Sequence, residues 1–329
     1  MPKTMPKKSE IQETDYSVTE LDISNMELTG LPADIELYTN LKTLYCYKNN
    51  ISNLDALASL HKLEYLDCDE NMLMVSLDKL PPSLKTLRCE NNYLVSLDNL
   101  PASLKELHCN HNNIRYLDKL PGGLRELSCG NCVIEALDHL PASLKELECE
   151  ENVIPSLDRL PKGLTFLRCD DNNLESLDHL PASLKNLNCL NNEIRALDHL
   201  PKGLKQLYAG VNKLTTVDNL PATLEELSVE HNEITHLDHL PASLTLLACH
   251  VNNLEALDHL PAGLRILDCG NNQIEHLDNL PDSLEKLMCD DNNVESLDFL
   301  PPQLKILKCY DNNIASFENV NPSIIVIHT

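Results

Sequence analysis

The chain has 329 residues and a formal net charge of −25, from 26 basic and 51 acidic side chains. A charge of this sign disfavours nucleic acids and anionic membranes as partners, and it favours a basic protein by long-range attraction. Aromatic residues make up 4% of the chain and Trp is absent, which is poor material for an ordinary globular core.

The N-terminus is predicted to be a flexible polar tail over residues 1–15. It contains Lys residues but no apolar stretch, so it does not resemble a secretory signal peptide. No apolar run elsewhere approaches the roughly 20 residues of a membrane span. We therefore expect no membrane partner.

A segment of about twenty residues recurs from there to the end. Residues 104–121, LKELHCNHNNIRYLDKLP, are one example, and 15 repeats can be aligned on the position of Cys109. This period and leucine spacing are typical of leucine-rich repeat solenoids. We predict one solenoid domain over residues 16–329, a horseshoe of the α/β class that is mostly parallel β, with about 15 short repeats and little helix.

Each repeat is predicted to contain one strand, L-x-x-L-x-C, with the cysteine position at its centre. Strand alternation turns the leucines and the cysteine inward and the residues between them outward. Residues 31–41 separate the first two strands more widely and could hold a short helix. The return segments, L-D-x-L-P-x-x-L, are too short and too rich in Pro for long helices.

An asparagine follows three residues after the cysteine position in 13 of the 15 repeats. A buried Asn amide can satisfy backbone groups where the chain turns away from the sheet. We predict a structural ladder that includes Asn112, Asn172, Asn212 and Asn272. Cys132 interrupts it, and we interpret this position as a local weak point and not as a functional thiol.

Twelve of the 13 cysteines occupy the inward slot, where Ile23, Ala209 and Val229 fill the other repeats. A slot that accepts these residues is a small apolar core site, so we expect free buried thiols. Neighbouring sulfurs would lie about 4.8 Å apart, close enough for oxidation to be a hazard. A reducing cytosol is therefore the expected compartment.

An aspartate recurs in the return segment of 13 repeats, and we expect it to accept backbone N–H groups of the turns. Histidine follows it in five repeats, which would permit a weak divalent-metal site. Other repeats place Lys119, Arg159 or Asn99 in that slot, so we interpret it as merely polar and expect no metal and no cofactor. The five histidines are His139, His179, His199, His239 and His259.

The segments LPASLKELHCNHNNI and LPDSLEKLMCDDNNV resemble the short, bacterial-type leucine-rich repeats of pathogen effector proteins, over residues 18–329. The leucine-rich-repeat effectors of Legionella are the most similar in general character. The usual L-P-x-L-P step is L-D-x-L-P here, and the N-terminal helical hairpin of several effectors is missing. The resemblance implies a protein delivered to the host cytoplasm by a non-classical secretion system.

Enzyme activity is not expected. Family members that are ubiquitin ligases carry a separate catalytic domain after the repeats, and the chain shows no nucleophile with a neighbouring base. There is also no Gly-rich phosphate loop. Binding is therefore the expected activity.

The outward strand residues are the candidate binding residues, because the repeat does not dictate them. An early group is aromatic, a middle group is acidic with one Phe and one Arg, and a late group is apolar with two lysines. Exposed apolar side chains of this kind often mark interfaces, although sheet faces also tolerate them through β-propensity alone. The three groups are Tyr45, Tyr47 and Tyr65; Glu146, Glu148, Phe166 and Arg168; and Tyr208, Leu246, Ile266, Lys286, Met288, Ile306, Lys308 and Tyr310.

These observations favour a non-enzymatic effector, monomeric when free, that holds a protein partner on its concave sheet face. The partner could be a host protein or another bacterial effector. The chain could inhibit an enzyme by covering its active site. Two alternatives stay open: a host-directed adaptor, and a generic intracellular scaffold such as those of giant viruses of amoebae.

Overall fold

The computed structural model describes residues 15–73 and 77–327. The predicted polar tail, residues 1–15, therefore lies outside the described residues except for Asp15. The chain divides into two compact units, residues 1–153 and 154–329. Each unit is a parallel β-solenoid of short turns, which confirms the predicted fold class. The single domain over 16–329 stays a prediction.

Over residues 15–73 and 77–153, the first unit contains seven strands and two short 3₁₀ helices. Its strands pair in parallel with their neighbours in chain order. The helices are Ile35–Leu37 and Asp55–Ser59. The strands are β1 Glu20–Asp22, β2 Thr43–Tyr45, β3 Tyr65–Asp67, β4 Thr86–Arg88, β5 Glu106–His108, β6 Glu126–Ser128 and β7 Glu146–Glu148.

The second unit contains nine strands among its described residues. They also pair in parallel in chain order, and the register advances by one 20-residue repeat for all but the last strand. The strands are β8 Phe166–Arg168, β9 Asn186–Asn188, β10 Gln206–Tyr208, β11 Glu226–Ser228, β12 Leu246–Ala248, β13 Ile266–Asp268, β14 Lys286–Met288, β15 Ile306–Lys308 and β16 Ile325–Ile327.

The strands are shorter than predicted and are centred elsewhere. In β2 the central residue is Leu44, and Cys46 follows the strand instead of forming its centre. The N–H of Cys46 still donates to the carbonyl of Asp67 in the next repeat at 2.8 Å. The chain begins to turn at the cysteine, although backbone bonding between repeats continues past it.

The helical segments are few. The short helix expected in residues 31–41 is present as Ile35–Leu37. The second helix, Asp55–Ser59, was not predicted; it begins where the Asn53 side chain accepts the Asp55 N–H at 2.6 Å, and it buries Leu57. None of the helices in the described ranges is long and apolar enough to cross a membrane.

The core consists of stacked leucines and cysteines. The cysteines after the strands are buried and free, as predicted. Several of their thiols donate to the next repeat, as from Cys68 to the carbonyl of Arg88 at 3.1 Å. Burial raises the pKa of the Cys46 thiol to about 12, so it stays protonated. Such thiols act as small apolar core groups.

The asparagine ladder is present as predicted. The Nδ2 of Asn112 donates to the carbonyls of Cys89, Cys109 and Asn110 at 3.0, 2.9 and 3.2 Å, and its Oδ1 accepts the N–H of Leu94 at 2.9 Å. Corresponding bonds recur at Asn172, Asn212 and Asn272. One side chain thus satisfies four backbone groups of two repeats.

The prediction for the aspartates of the return segments was wrong. Most of their carboxylates accept a hydrogen bond from a side chain in the next repeat, at the position that directly follows the next aspartate. Asp98 accepts from Lys119 at 3.0 Å, and Asp258 accepts from Asn279 at 3.0 Å. A side-chain donor reaches back over one repeat because the solenoid stacks equivalent turns, which sequence spacing alone does not reveal.

Candidate functional site

The outward face of β12–β15 in the second unit carries the predicted late group. The parallel register places Leu246, Ile266, Lys286 and Ile306 side by side on neighbouring strands. The third residue of each of these strands belongs to a second, parallel row, which includes Met288 and Lys308. Equivalent side chains on adjacent parallel strands stand about 4.8 Å apart, so Leu246 and Ile266 are neighbours, and Lys286 lies between Ile266 and Ile306.

A shallow depression lies on this face. Its apolar floor is formed by Leu246, Ile266 and Ile306, and the remaining lining residues are polar or charged. The sequence predicted that the floor side chains would be exposed. They are half-buried, because neighbours at strand spacing cover one another. The polar lining residues are Glu226, Thr245, Arg265, Glu285 and Lys305.

One edge of the depression is a row of ion pairs. Glu285 bonds both Arg265 and Lys305, each at 2.5 Å. The hydrogen bonds from Lys305 and Arg265 hold the pKa of Glu285 below its usual value. This edge is therefore charged but locally compensated.

The remaining late residues adjoin the depression. Lys308 lies 3.1 Å from Asp290 and 4.7 Å from the ring centre of Tyr310, and its bonds to Tyr310 and Asp290 raise its pKa to about 12. The Tyr208 hydroxyl donates to Glu226 at 2.7 Å, and burial together with that carboxylate raises its pKa to about 12. Both aromatic side chains are thus fixed by charged neighbours.

Phe166 and Arg168 lie on β8, in the same unit but away from the depression. Strands β9, β10 and β11 separate them from Leu246 in the pairing order. Arg168 donates to Asp170 at 2.9 Å. The structure does not bring this pair together with the late apolar group.

The predicted tyrosines lie in the first unit. The rings of Tyr45 and Tyr65 contact each other with centroids 5.5 Å apart, and Tyr47 is also half-buried. Beside them Arg88 bonds Asp69 at 3.2 Å and Glu90 at 3.1 Å. Burial raises the pKa of Asp69 to about 6.

The predicted acidic residues Glu146 and Glu148 are on β7 of the first unit. Glu146 stands in register with Glu126, which in turn faces Glu106. Burial raises the pKa of Glu126, and the neighbouring carboxylates raise it further. Like charges in register destabilise a sheet, and the fold does not require them at these positions.

An exposed apolar flank of the first unit was not predicted. Its members each directly follow the ladder position, and their exposed fractions lie between 42% and 48%. The sequence does contain the signal, because the residue after each ladder Asn from Asn172 to Asn312 is polar. This apolar flank consists of Met72, Tyr93, Val133 and Val153.

The histidines of the return segments bond aspartates. His199 Nδ1 lies 2.8 Å from Asp178, and His239 Nδ1 lies 3.0 Å from Asp218. The same pairing, with the return-segment aspartate of the preceding repeat, is made by His139, His179 and His259. Over residues 15–73 and 77–327, no group of three or more His, Cys, Asp or Glu side chains could hold a metal ion.

Comparison with known proteins agrees with this architecture. A family model described as Leucine Rich repeats (2 copies) matches residues 39–82. YopM from Yersinia enterocolitica is 32% identical, with a TM-score of 0.78 over 95% of this chain and 73% of that one. The chain belongs to the leucine-rich repeat family.

Two further solved leucine-rich repeat structures are similar. YopM of Yersinia pestis, described as a leucine-rich effector protein, is 30% identical with a TM-score of 0.69, over 94% of this chain and 88% of that one. The functional domain of InlJ from Listeria monocytogenes is 28% identical with a TM-score of 0.71, over 88% and 68%. Its description includes a cysteine ladder, and stacked cysteines recur here. No curated protein matches the sequence.

Proposed function

We propose that this leucine-rich repeat protein is a non-enzymatic binding protein that holds a protein partner on the outward face of β12–β15. The supporting observation is the depression floored by Leu246, Ile266 and Ile306. The repeat does not require apolar residues there, since Asn186 and Gln206 occupy the same strand position in other repeats. Clustered apolar side chains with a charged edge are typical of the centre and rim of an interface.

The similarity to YopM supports a role as a bacterial effector. We extend this proposal to the Legionella-like class and to action in a host cytoplasm after non-classical secretion. The free, buried cysteines fit a reducing cytosol, because thiols at strand spacing are vulnerable to oxidation.

The proposed mechanism is steric inhibition of an enzyme, which could be another effector of the same organism. Occlusion requires a surface that keeps its shape when the partner is bound. The backbone pairing of β12–β15 and the ladder bonds of Asn272 and Asn292 provide such a surface. No enzyme family is indicated for the chain itself by its relatives.

A second candidate function is that of an adaptor. The observation that favours it is the apolar flank of the first unit, because an adaptor needs a second surface for a second protein. Exposed apolar clusters on a soluble protein often mark interaction sites. A generic scaffold would use the same surfaces without a role in infection.

The test is an affinity capture read by mass spectrometry, from host lysate mixed with lysate of the source organism. Three baits are compared: the native chain, Ile266→Glu/Ile306→Glu, and Tyr93→Asn/Val133→Asn/Val153→Asn as a matched change of exposed apolar residues. We expect a partner that the sheet-face variant loses and the flank variant retains. Circular dichroism confirms that each bait is folded.

Loss of the partner with the flank variant only would place the binding surface in the first unit and contradict the proposal. If the partner is an enzyme, its activity is measured with increasing amounts of the native chain. Inhibition that the sheet-face variant fails to produce supports occlusion. An active enzyme in a stable complex supports the adaptor.

A further inference from the structure

Lys286 is placed unlike the other cations of its surface. It stands in register between Ile266 and Ile306, in the middle of the apolar row of β12–β15. Its side chain is half-buried. Within residues 15–73 and 77–327, no carboxylate forms an ion pair with it, whereas Lys305 and Lys308 are both paired.

The carboxylates near Lys286 have other partners. Glu285 bonds Arg265 and Lys305, and Asp290 bonds Lys308 at 3.1 Å. Asp268 accepts the backbone N–H of Gly270 at 3.3 Å. Glu226, at the far edge of the depression, accepts the Tyr208 hydroxyl. None of these carboxylates forms an ion pair with the Lys286 ammonium in the described part of the chain, so removing water from it would leave its charge uncompensated.

The local charge is also far less negative than that of the chain. Across β12–β15 the cations are Arg265, Lys286, Lys305 and Lys308 and the anions are Asp268, Glu285 and Asp290. Glu226 at the far edge of the depression brings the count to four against four, on a chain of −25. Charges beyond about 10 Å are largely screened at physiological salt, so the local charges decide what fits in contact.

A partner that covers the apolar floor also covers Lys286. Removing the water from an ammonium without supplying an anion is strongly unfavourable. A carboxylate placed over Lys286 would replace that water with a charge-assisted hydrogen bond, and its own desolvation would be compensated in the same contact. Aliphatic side chains on either side of the carboxylate would meet Ile266 and Ile306.

Resting on the proposed function, we propose that Lys286 determines specificity and that this surface takes a protein segment with one Asp or Glu flanked by aliphatic side chains. This refines the expectation from net charge, which favoured a basic partner. The overall charge steers the encounter, whereas the anchor at the centre of the contact is acidic. A Lys or Arg at that place would meet Lys286 and be rejected.

The experiment uses a random dodecapeptide library displayed on phage, selected on three folded full-length baits. They are the native chain, Lys286→Glu, and Ile266→Asp/Ile306→Asp, each checked by circular dichroism and melting temperature. We expect the native chain to enrich peptides with an acidic residue between aliphatic residues, and the double variant to lose them. Lys286→Glu should enrich Lys or Arg at the same place.

The enriched peptide is then synthesised with Glu and with Gln at the central position. We expect the native chain to bind the Glu form about tenfold more tightly by fluorescence anisotropy. Lys286→Met keeps the length and apolar character of the side chain, and it should bind the two forms about equally. This control separates the charge from the shape of Lys286.

Two results would overturn the proposal in distinguishable ways. Peptides that depend on Ile266 and Ile306 but show no acidic enrichment, or no change with Lys286→Glu, would refute the acidic anchor and leave the proposed function standing. If no enriched peptide depends on Ile266 and Ile306, both the anchor and the binding surface are refuted.

Discussion

The thiol of Cys132 lies 3.6 Å from the carbonyl oxygen of Cys109, at the position where other repeats place a ladder asparagine. Burial raises the pKa of this thiol, and the backbone N–H groups of Asn112 and Ile114 beside the sulfur partly oppose that rise. Sulfur is a weak donor and a weak acceptor, so these backbone groups are bonded less strongly than those of other repeats. A thiol thus stands where other repeats have an amide, and the weak point expected at this repeat stays a prediction.

Cys132→Asn should stabilise the protein by about 1–2 kcal/mol, because the amide would provide stronger bonds to backbone groups that the thiol serves poorly. The measurement is the free energy of unfolding in urea. Cys132→Ser is the control, since its shorter side chain restores polarity without the reach of an amide. An Asn variant no more stable than the Ser variant would contradict the prediction.

Asn112→Ala should destabilise the protein by about 3 kcal/mol. It leaves the carbonyls of Cys89, Cys109 and Asn110 and the N–H of Leu94 without their side-chain partner in a buried turn. Asn113→Ala is the matched control, because its side chain is exposed, and it should change the free energy of unfolding by less than about 0.5 kcal/mol. Similar effects of the two variants would show that the ladder contributes little.

Val211→Asn should stabilise the protein by about 1 kcal/mol. Val211 has a φ of 50°, a left-handed conformation that crowds a β-branched side chain and that Asn tolerates. Other repeats place Asn91, Asn131 and Asn191 at this position. Chemical denaturation measures the change, and Val153→Asn, at an exposed site without positive φ, should have little effect. Destabilisation by Val211→Asn would mean that contacts of the valine outweigh its strain.

Asp69 should make stability depend on pH. Burial raises its pKa to about 6 in the folded state, while the unfolded value is about 3.9. Folding therefore favours the protonated carboxyl, and the associated stability is fully present below pH of about 4 and is lost as the pH rises through about 6. Asp69→Asn, which keeps an acceptor for the Glu90 N–H, should remove this dependence.

The measurement compares urea unfolding of the native chain and Asp69→Asn at pH 4 and pH 7. We expect the native chain to lose about 2 kcal/mol relative to the variant over this interval. A carboxyl titration of Asp69 by NMR should give a midpoint near 6. A difference between the two proteins that is constant with pH would contradict the prediction.

Much of the ladder could be predicted because the repeat confines each position to one environment. Asn112 recurs where the chain leaves the sheet, and an amide there has few other uses. The partner of Asp98 could not be predicted, because Lys119 reaches it only once equivalent turns are stacked. The apolar flank does not follow from strand alternation, because Val133 and Val153 lie outside the strands.

The sequence by itself determined the parallel solenoid, the inward leucines and cysteines, the asparagine ladder and the outward direction of Ile266, Lys286 and Ile306. Local periodicity carries this information, since side-chain direction along a strand alternates by residue. Only the tertiary structure decided that Glu285 engages Arg265 and Lys305 while Lys286 is left without a carboxylate. Ion pairs join residues of different repeats, so their choice depends on side-chain reach across the stack and not on spacing along the chain.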